Sequence, residues 1–155
     1  MPSKFEETVC ALGLQFYRGL QAIPETNKSR ITAKDTRKLG GSVDLDNDLL
    51  ERYPRDNRWD YVVAYNSGNK TSLFFIEVHP ACSGSNANDV VAKKLWLDNW
   101  LATEGQRLIK YTQNLEKCFC WVATGKILPH DSPSYRKVLK KGIRGPVARL
   151  EIKEL

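Results

Sequence analysis

Two carboxylates and an imidazole stand where a pair of β-strands would bring them together. Within the stretch Arg58 to Ala81, RWDYVVAYNSGNKTSLFFIEVHPA, the Val- and Tyr-rich run Tyr61 to Tyr65 follows directly on Asp60. A second run, Ser72 to His79, carries Leu73-Phe74-Phe75-Ile76 ahead of Glu77-Val78-His79. Between them, Asn66-Ser67-Gly68-Asn69 offers residues that tolerate the positive φ of a tight turn. A hairpin centred between Gly68 and Asn69 sets Asp60 opposite Glu77, with Cβ atoms about 5 Å apart. Alternation along the strand then places Glu77 and His79 on one face. Like charges directly opposite one another are destabilising. The arrangement therefore asks for a cation, and a divalent metal is the economical candidate.

The rest of the composition narrows what such a site would act on. Lys and Arg number 24 against 18 Asp and Glu, a formal net charge of +6. That excess favours an anionic partner, most simply nucleic acid, DNA before RNA. Two stretches hold most of it outside the helices: Lys28, Arg30, Lys34, Arg37 and Lys38 in one loop, and Arg136, Lys137, Lys140, Lys141 and Arg144 in the tail. Simple solvation is the other reading of both. A chain of 155 residues is expected to form one domain, 1–155, with a basic C-terminal segment from residue 129. The first residues carry no apolar signal-like run, and no stretch approaches the ~20 apolar residues of a membrane helix. A cytoplasmic protein with no membrane partner is expected, and a homodimer is compatible with it. Cys10, Cys82, Cys118 and Cys120 lack zinc-ligand spacing and read as small buried hydrophobes kept reduced, the last two sharing a strand face.

The elements that must position the hairpin can be read from periodicity. Phe5, Val9, Leu12, Phe16 and Leu20 recur at spacings of three and four, which predicts a helix over residues 4–22, capped by Ser3 and ended by Pro24. Residues 25–42 read as a polar, basic loop with one ragged strand near 30–33. Ser42 to Asp46 alternates, and 47–53 makes a helical turn that Asp46 is placed to cap. After the hairpin, the apolar-rich residues 89–103 predict a second helix buried against a sheet, ended by Gly105. Residues 106–113 are ambiguous between helix and strand, 117–124 read as a buried strand, and a last strand is expected over 147–152. The fold class is α/β: a central mixed sheet of four or five strands with flanking helices, in the order α-β-β-β-α-β.

Asp60, a hairpin, then Glu77-Val78-His79, preceded by a helix bearing Glu6 and Glu7 and followed by a helix and a strand, resembles the PD-(D/E)XK nuclease superfamily. The resemblance spans residues 4–124 by element order, and only the hairpin supplies motif residues. It implies a restriction-endonuclease-like fold and a metal-dependent endonuclease that hydrolyses phosphodiester bonds in DNA. It further implies that Asp60, Glu77 and the backbone carbonyl of Val78 hold Mg²⁺ or Mn²⁺ through hard oxygen ligands, with Glu6 or Glu7 reaching the metal through water. Arg58-Trp59 replaces the proline that often precedes the first acid, and His79 stands where the family usually has its lysine. A histidine can act as a base near neutral pH but supplies no permanent ammonium. The lysine can instead come from the next helix, where Lys93 and Lys94 lie. Lys94 is the choice, being four after Val90 and three before Leu97 on the inward stripe. The alternative is a catalytically silent domain of this fold that binds nucleic acid or a protein partner.

Other groups have plainer readings. Glu6 and Glu7 suit a helix N-terminus through the helix dipole. Asp44, Asp46 and Asp48 lack the glycine and terminal glutamate of a calcium loop and read as caps and surface, with Asp44 near enough to approach the metal if its segment is a strand. His130 reads as an exposed loop residue, and Trp96 and Trp100 as core. Gly40-Gly41 precedes no Lys-Ser/Thr pair, so no phosphate-binding P-loop is expected.

Overall fold

The structure, a computed structural model, describes residues 1–112, 117–129 and 132–155. The expected reading of His130 lies outside the described residues. In chain order the elements are α1 (Lys4–Ala11), α2 (Glu25–Lys28), β1 (Ile31–Ala33), β2 (Leu39–Asp44), α3 (Leu45–Asp48), β3 (Tyr61–Ser67) and β4 (Lys70–Ala81). There follow α4 (Gly84–Ala102), β5 (Phe119–Ile127), α5 (Pro133–Lys140), β6 (Arg144–Val147) and β7 (Leu150–Ile152), with 3-10 turns at Thr36–Lys38 and Gln106–Tyr111.

The main sheet has five strands in the order β2-β3-β4-β5-β6. Its first three strands form an antiparallel meander, and β4, β5 and β6 run parallel. Each parallel step needs a crossover, and α4 and α5 provide them. The β3–β4 hairpin has the expected register, from Tyr61 opposite Ile76 to Ser67 opposite Lys70. Gly68, at φ 61, makes its turn. Pairing runs further along both strands than the expected 61–65 and 72–79.

Alternation divides the hairpin between two apolar layers. Val62, Ala64, Leu73 and Phe75 face one side with Trp121, and there Phe5 and Val9 of α1 and Val90, Leu97, Trp100 and Leu101 of α4 cover them. Tyr61, Val63, Tyr65, Phe74 and Ile76 face the other side with Cys120 and Val122. Those residues are covered by Ile23, Ile31, Leu150 and Ile152, the last three from β1 and β7, which pair in parallel as a separate two-stranded sheet. Burial on both faces explains why 73–76 is continuously apolar rather than alternating. Each such buried side chain contributes roughly 1.5–3 kcal/mol. Among the described residues, no helix is long and apolar enough to cross a membrane.

Several expectations are corrected. The first helix ends at Ala11, not at residue 22. Gly13 adopts φ 77, its N–H donates to the Cys10 carbonyl, and the Leu14 N–H donates to the Val9 carbonyl. That is a glycine-terminated cap, after which Leu14 and Phe16 continue to cover the core from a non-helical segment whose Tyr17 bridges to Ser42. Asp44, not Asp46, caps α3, accepting from the Asn47 N–H. Helix α4 begins at Gly84 because Ser83 accepts from the Asn86 N–H. The last expected strand is two, β6 and β7, in different sheets. Cys10 and Cys82 are exposed, while Cys118 and Cys120 are buried. The latter two fall in opposite layers, since Cys118 precedes the first residue of β5 and escapes its alternation. Trp100 is core as expected, with Trp96 stacked beside it at 6.1 Å.

The tail contains a helix that periodicity did not reveal. Ser132 accepts from the Tyr135 N–H, Pro133 stands in the first turn, and Tyr135 and Val138 are buried. Pro at the first helical position loses no hydrogen bond. Ser132→Ala is expected to cost about 1 kcal/mol, read as a lower urea midpoint at unchanged slope.

Candidate active site

The hairpin's open end carries the two acids, each held by the main chain of the opposite strand. The Asp60 N–H donates to Glu77 Oε1 at 3.1 Å, and the Val78 N–H donates to Asp60 Oδ2 at 2.9 Å. The remaining oxygens, Asp60 Oδ1 and Glu77 Oε2, face the ammonium of Lys93 at 3.6 and 2.5 Å. The cation that opposed carboxylates require is thus supplied by α4. Glu77 is 0 % exposed, Asp60 15 % and Lys93 21 %, so the cluster meets solvent on the Asp60 and Lys93 side.

His79 lies two residues beyond Glu77 on the same face. Its Nδ1 is 3.7 Å from Glu77 Oε2 and its Nε2 is 3.6 Å from Asp89 Oδ2. Both separations exceed hydrogen-bond length, and Nε2 has no hydrogen-bond partner among the described residues. The pairing of helix to strand has a simple metric origin. Four helical residues rise about 6 Å and two strand residues about 6.7 Å. Asp89 and Lys93 on α4 therefore keep step with His79 and Glu77 on β4. Trp121 fixes the same end, its ring N–H donating to the His79 carbonyl at 3.0 Å.

Electrostatics follow from burial and these neighbours. Burial pushes Glu77 well above the usual carboxylate range; Asp60 adds to the rise and Lys93 opposes it. Asp60 is raised by burial against the pull of Lys93, and Asp46 adds a further small rise. Burial alone would lower Lys93, but Glu77 and Asp60 outweigh it and its pKa rises. His79 is lowered, first by burial and then by the Lys93 charge.

Of the residues expected at the site, Asp60, Glu77, Val78 and His79 come together, and Lys94 does not join them. Lys94 is buried, as the inward stripe implied, but one helical step turns it towards the start of β5. There its ammonium lies 4.1 Å from the Phe119 ring and 2.8 Å from Asp98 Oδ1. Lys93 and Asp89 are the residues sequence reading missed as a pair. The available signal was their i, i+4 spacing, which puts them on one helix line. Glu6 lies in α1 with its N–H on the Ser3 hydroxyl, and its carboxylate makes no ion pair with the cluster among the described residues.

The basic residues fall into separate groups. In the loop, Lys28 pairs with Glu25, Arg37 with Asp35 and Lys38 with Glu154, while Arg30 donates to the Thr26 carbonyl. Lys34, Arg37 and Lys38 line a concavity with Tyr65, towards the turn end of β3 and away from Asp60. In the tail, Arg136, Lys137, Lys140 and Lys141 line one side of α5. Lys137 donates to Asn88, the neighbour of Asp89, which brings this group to the acid end. Arg144 donates to the Lys117 carbonyl, near the start of β5.

Among the described residues, no group of three or more His, Cys, Asp and Glu side chains is arranged as a metal cage. The two hard oxygens that the main chain leaves unbonded do converge, and hard oxygens suit Mg²⁺ or Mn²⁺. In this structure the Lys93 ammonium stands at both of them. Compared with family models, curated proteins and solved structures, the chain matches none of them.

Proposed function

We propose that this protein is a metal-dependent nuclease of restriction-endonuclease-like fold that hydrolyses phosphodiester bonds in DNA, in the cytoplasm. The observation that carries the reading is the convergence of Asp60, Glu77 and Lys93, with His79 beside them, at the open end of the β3–β4 hairpin. Further support comes from α1, β2, β3, β4, α4 and β5, which, with the short α2, β1 and α3 set aside, follow the α-β-β-β-α-β order of that superfamily. The lysine that His79 displaces from its usual motif position is supplied from α4.

Asp60 Oδ1, Glu77 Oε2 and the Val78 carbonyl would hold Mg²⁺ or Mn²⁺. When bound, the ion supplies charge neutralisation at the phosphate and acidifies a nearby water. The residues of the chain do the rest. The lowered pKa of His79 keeps its imidazole neutral at pH 7, the form that accepts a proton. Lys93 offers a fixed positive charge to the developing anion. The α5 cations hold the phosphate backbone leading to the mouth.

The competing reading, a catalytically silent domain of the same fold, is favoured by one observation: the Lys93 ammonium already contacts both acids without a metal. Incubating supercoiled, linear duplex and single-stranded DNA with Mg²⁺ or Mn²⁺, beside Asp60→Ala, separates the two. Cleavage by the wild type alone supports the nuclease, and intact DNA in every tube supports the silent domain. If α5 tracks phosphates, neutralising Arg136 and Lys140 should flatten the dependence of log affinity on log salt by about one unit per lost contact. Preference among sequences should stay the same. An unchanged slope removes α5 from the interface.

A further inference from the structure

We propose that Lys93 is a displaceable counter-ion: its ammonium holds the cation seat of the acid pair, and a divalent ion enters as that ammonium moves onto a substrate phosphate. Metal and nucleic acid are then bound cooperatively through one side chain. The inference rests on the metal-dependent reading above.

The argument starts from the four carboxylate oxygens. Glu77 Oε1 and Asp60 Oδ2 are tied to main-chain N–H groups of the hairpin itself, so they cannot turn outward without opening its end. Of the four, Asp60 Oδ1 and Glu77 Oε2 are the two the main chain leaves unbonded, and both face the Lys93 ammonium. An ammonium and a divalent ion at the same two oxygens repel each other, so occupancy is an exchange. Glu77 is wholly buried and Lys93 is not, which leaves the ammonium free to swing to the mouth on its four-carbon stem. Away from the acids that group loses its counter-charges, and the anion that best replaces them there is a phosphate oxygen. Reciprocity then requires that DNA tighten the metal as much as the metal tightens DNA.

The test is Mn²⁺ binding by calorimetry, with and without a short duplex of phosphorothioate DNA. It compares wild type, Lys93→Met and Lys93→Arg, with Glu77→Gln as the variant lacking the seat. Lys93→Met is expected to bind Mn²⁺ about 5–150-fold more tightly than wild type, the usual span of a coupling between sites. DNA should tighten Mn²⁺ on the wild type and on Lys93→Arg, and no longer on Lys93→Met. Should Lys93→Met be unfolded by circular dichroism, Lys93→Gln serves the same comparison. Measurable Mn²⁺ binding that is equal or weaker in the uncharged variants overturns the exchange and leaves the metal-dependent reading standing. Absence of Mn²⁺ binding from wild type and Lys93→Met, with DNA present, overturns both.

Discussion

Asp60→Ala, Glu77→Gln and Lys93→Met are each expected to lower the rate of DNA cleavage by about 100-fold or more, and Lys94→Met to leave it close to wild type. The expectation follows from where each group points. Asp60 and Glu77 supply the only carboxylate oxygens of the hairpin end that the main chain leaves unbonded, and Lys93 is the ammonium beside them. Removing a single group that stabilises charge in a water-poor site costs about 10²–10³ in rate, equivalent to roughly 2.7–4 kcal/mol of barrier. Lys94 is occupied with Asp98 and Phe119 and takes no part in the cluster. Initial rates on a labelled duplex with Mg²⁺ or Mn²⁺ provide the measurement. Full activity in Asp60→Ala would remove the nuclease reading. A large loss in Lys94→Met with little in Lys93→Met would return the catalytic cation to Lys94.

The second large effect concerns stability. Lys93→Met leaves Glu77 buried at 0 % exposure beside another acid with no cation. Breaking a buried ion pair from one side costs roughly 3–5 kcal/mol, and the partial exposure of Lys93 places this one towards the lower figure. Glu77 can escape part of the cost by taking a proton, so the loss depends on pH. In the folded protein its pKa is raised above the ordinary 4.5. The stability linked to that shift is fully present below pH 4.5 and is lost as pH rises through the folded value. Lys93 is among the groups that hold the folded value down, so its removal raises that value further and deepens the loss at higher pH. His79 acts in the same sense. Its depressed pKa costs stability below about 6.5, and removing the Lys93 charge eases that cost. Urea unfolding at pH 5 and pH 8 should therefore show a small deficit for Lys93→Met at pH 5 and a large one at pH 8. Adding Glu77→Gln should shrink the difference to the part that His79 carries. A deficit independent of pH would mean that Lys93 contributes packing and not charge.

The hairpin was legible because its signals are local. Alternation has a period of two, so Gly68 in the turn sets the register, and the register alone brings Asp60 opposite Glu77. The same logic required a cation at that end before any fold was known. Helix α4 was legible from its apolar density, and the burial of Lys94 from its stripe. The cap at Gly13 was also written locally, but Phe16 and Leu20 continue the apolar spacing of the helix into a segment that merely lies over the core. Periodicity records which residues face the core, not the backbone that carries them there.

The choice between Lys93 and Lys94 was of a different kind. Adjacent helical residues point about 100° apart, and which one meets Glu77 depends on how α4 is rotated and slid along β4. That setting comes from packing: Val90, Leu97, Trp100 and Leu101 seated on the sheet, with Asp89 level with His79. The same holds for β1 and β7, which pair across nearly the whole chain to cover the second face of the sheet. From sequence alone the protein had its hairpin, its acid pair and its need for a counter-charge. Only the tertiary structure decided which lysine meets that need, because helix rotation and long-range strand pairing are fixed by contacts between segments distant in sequence.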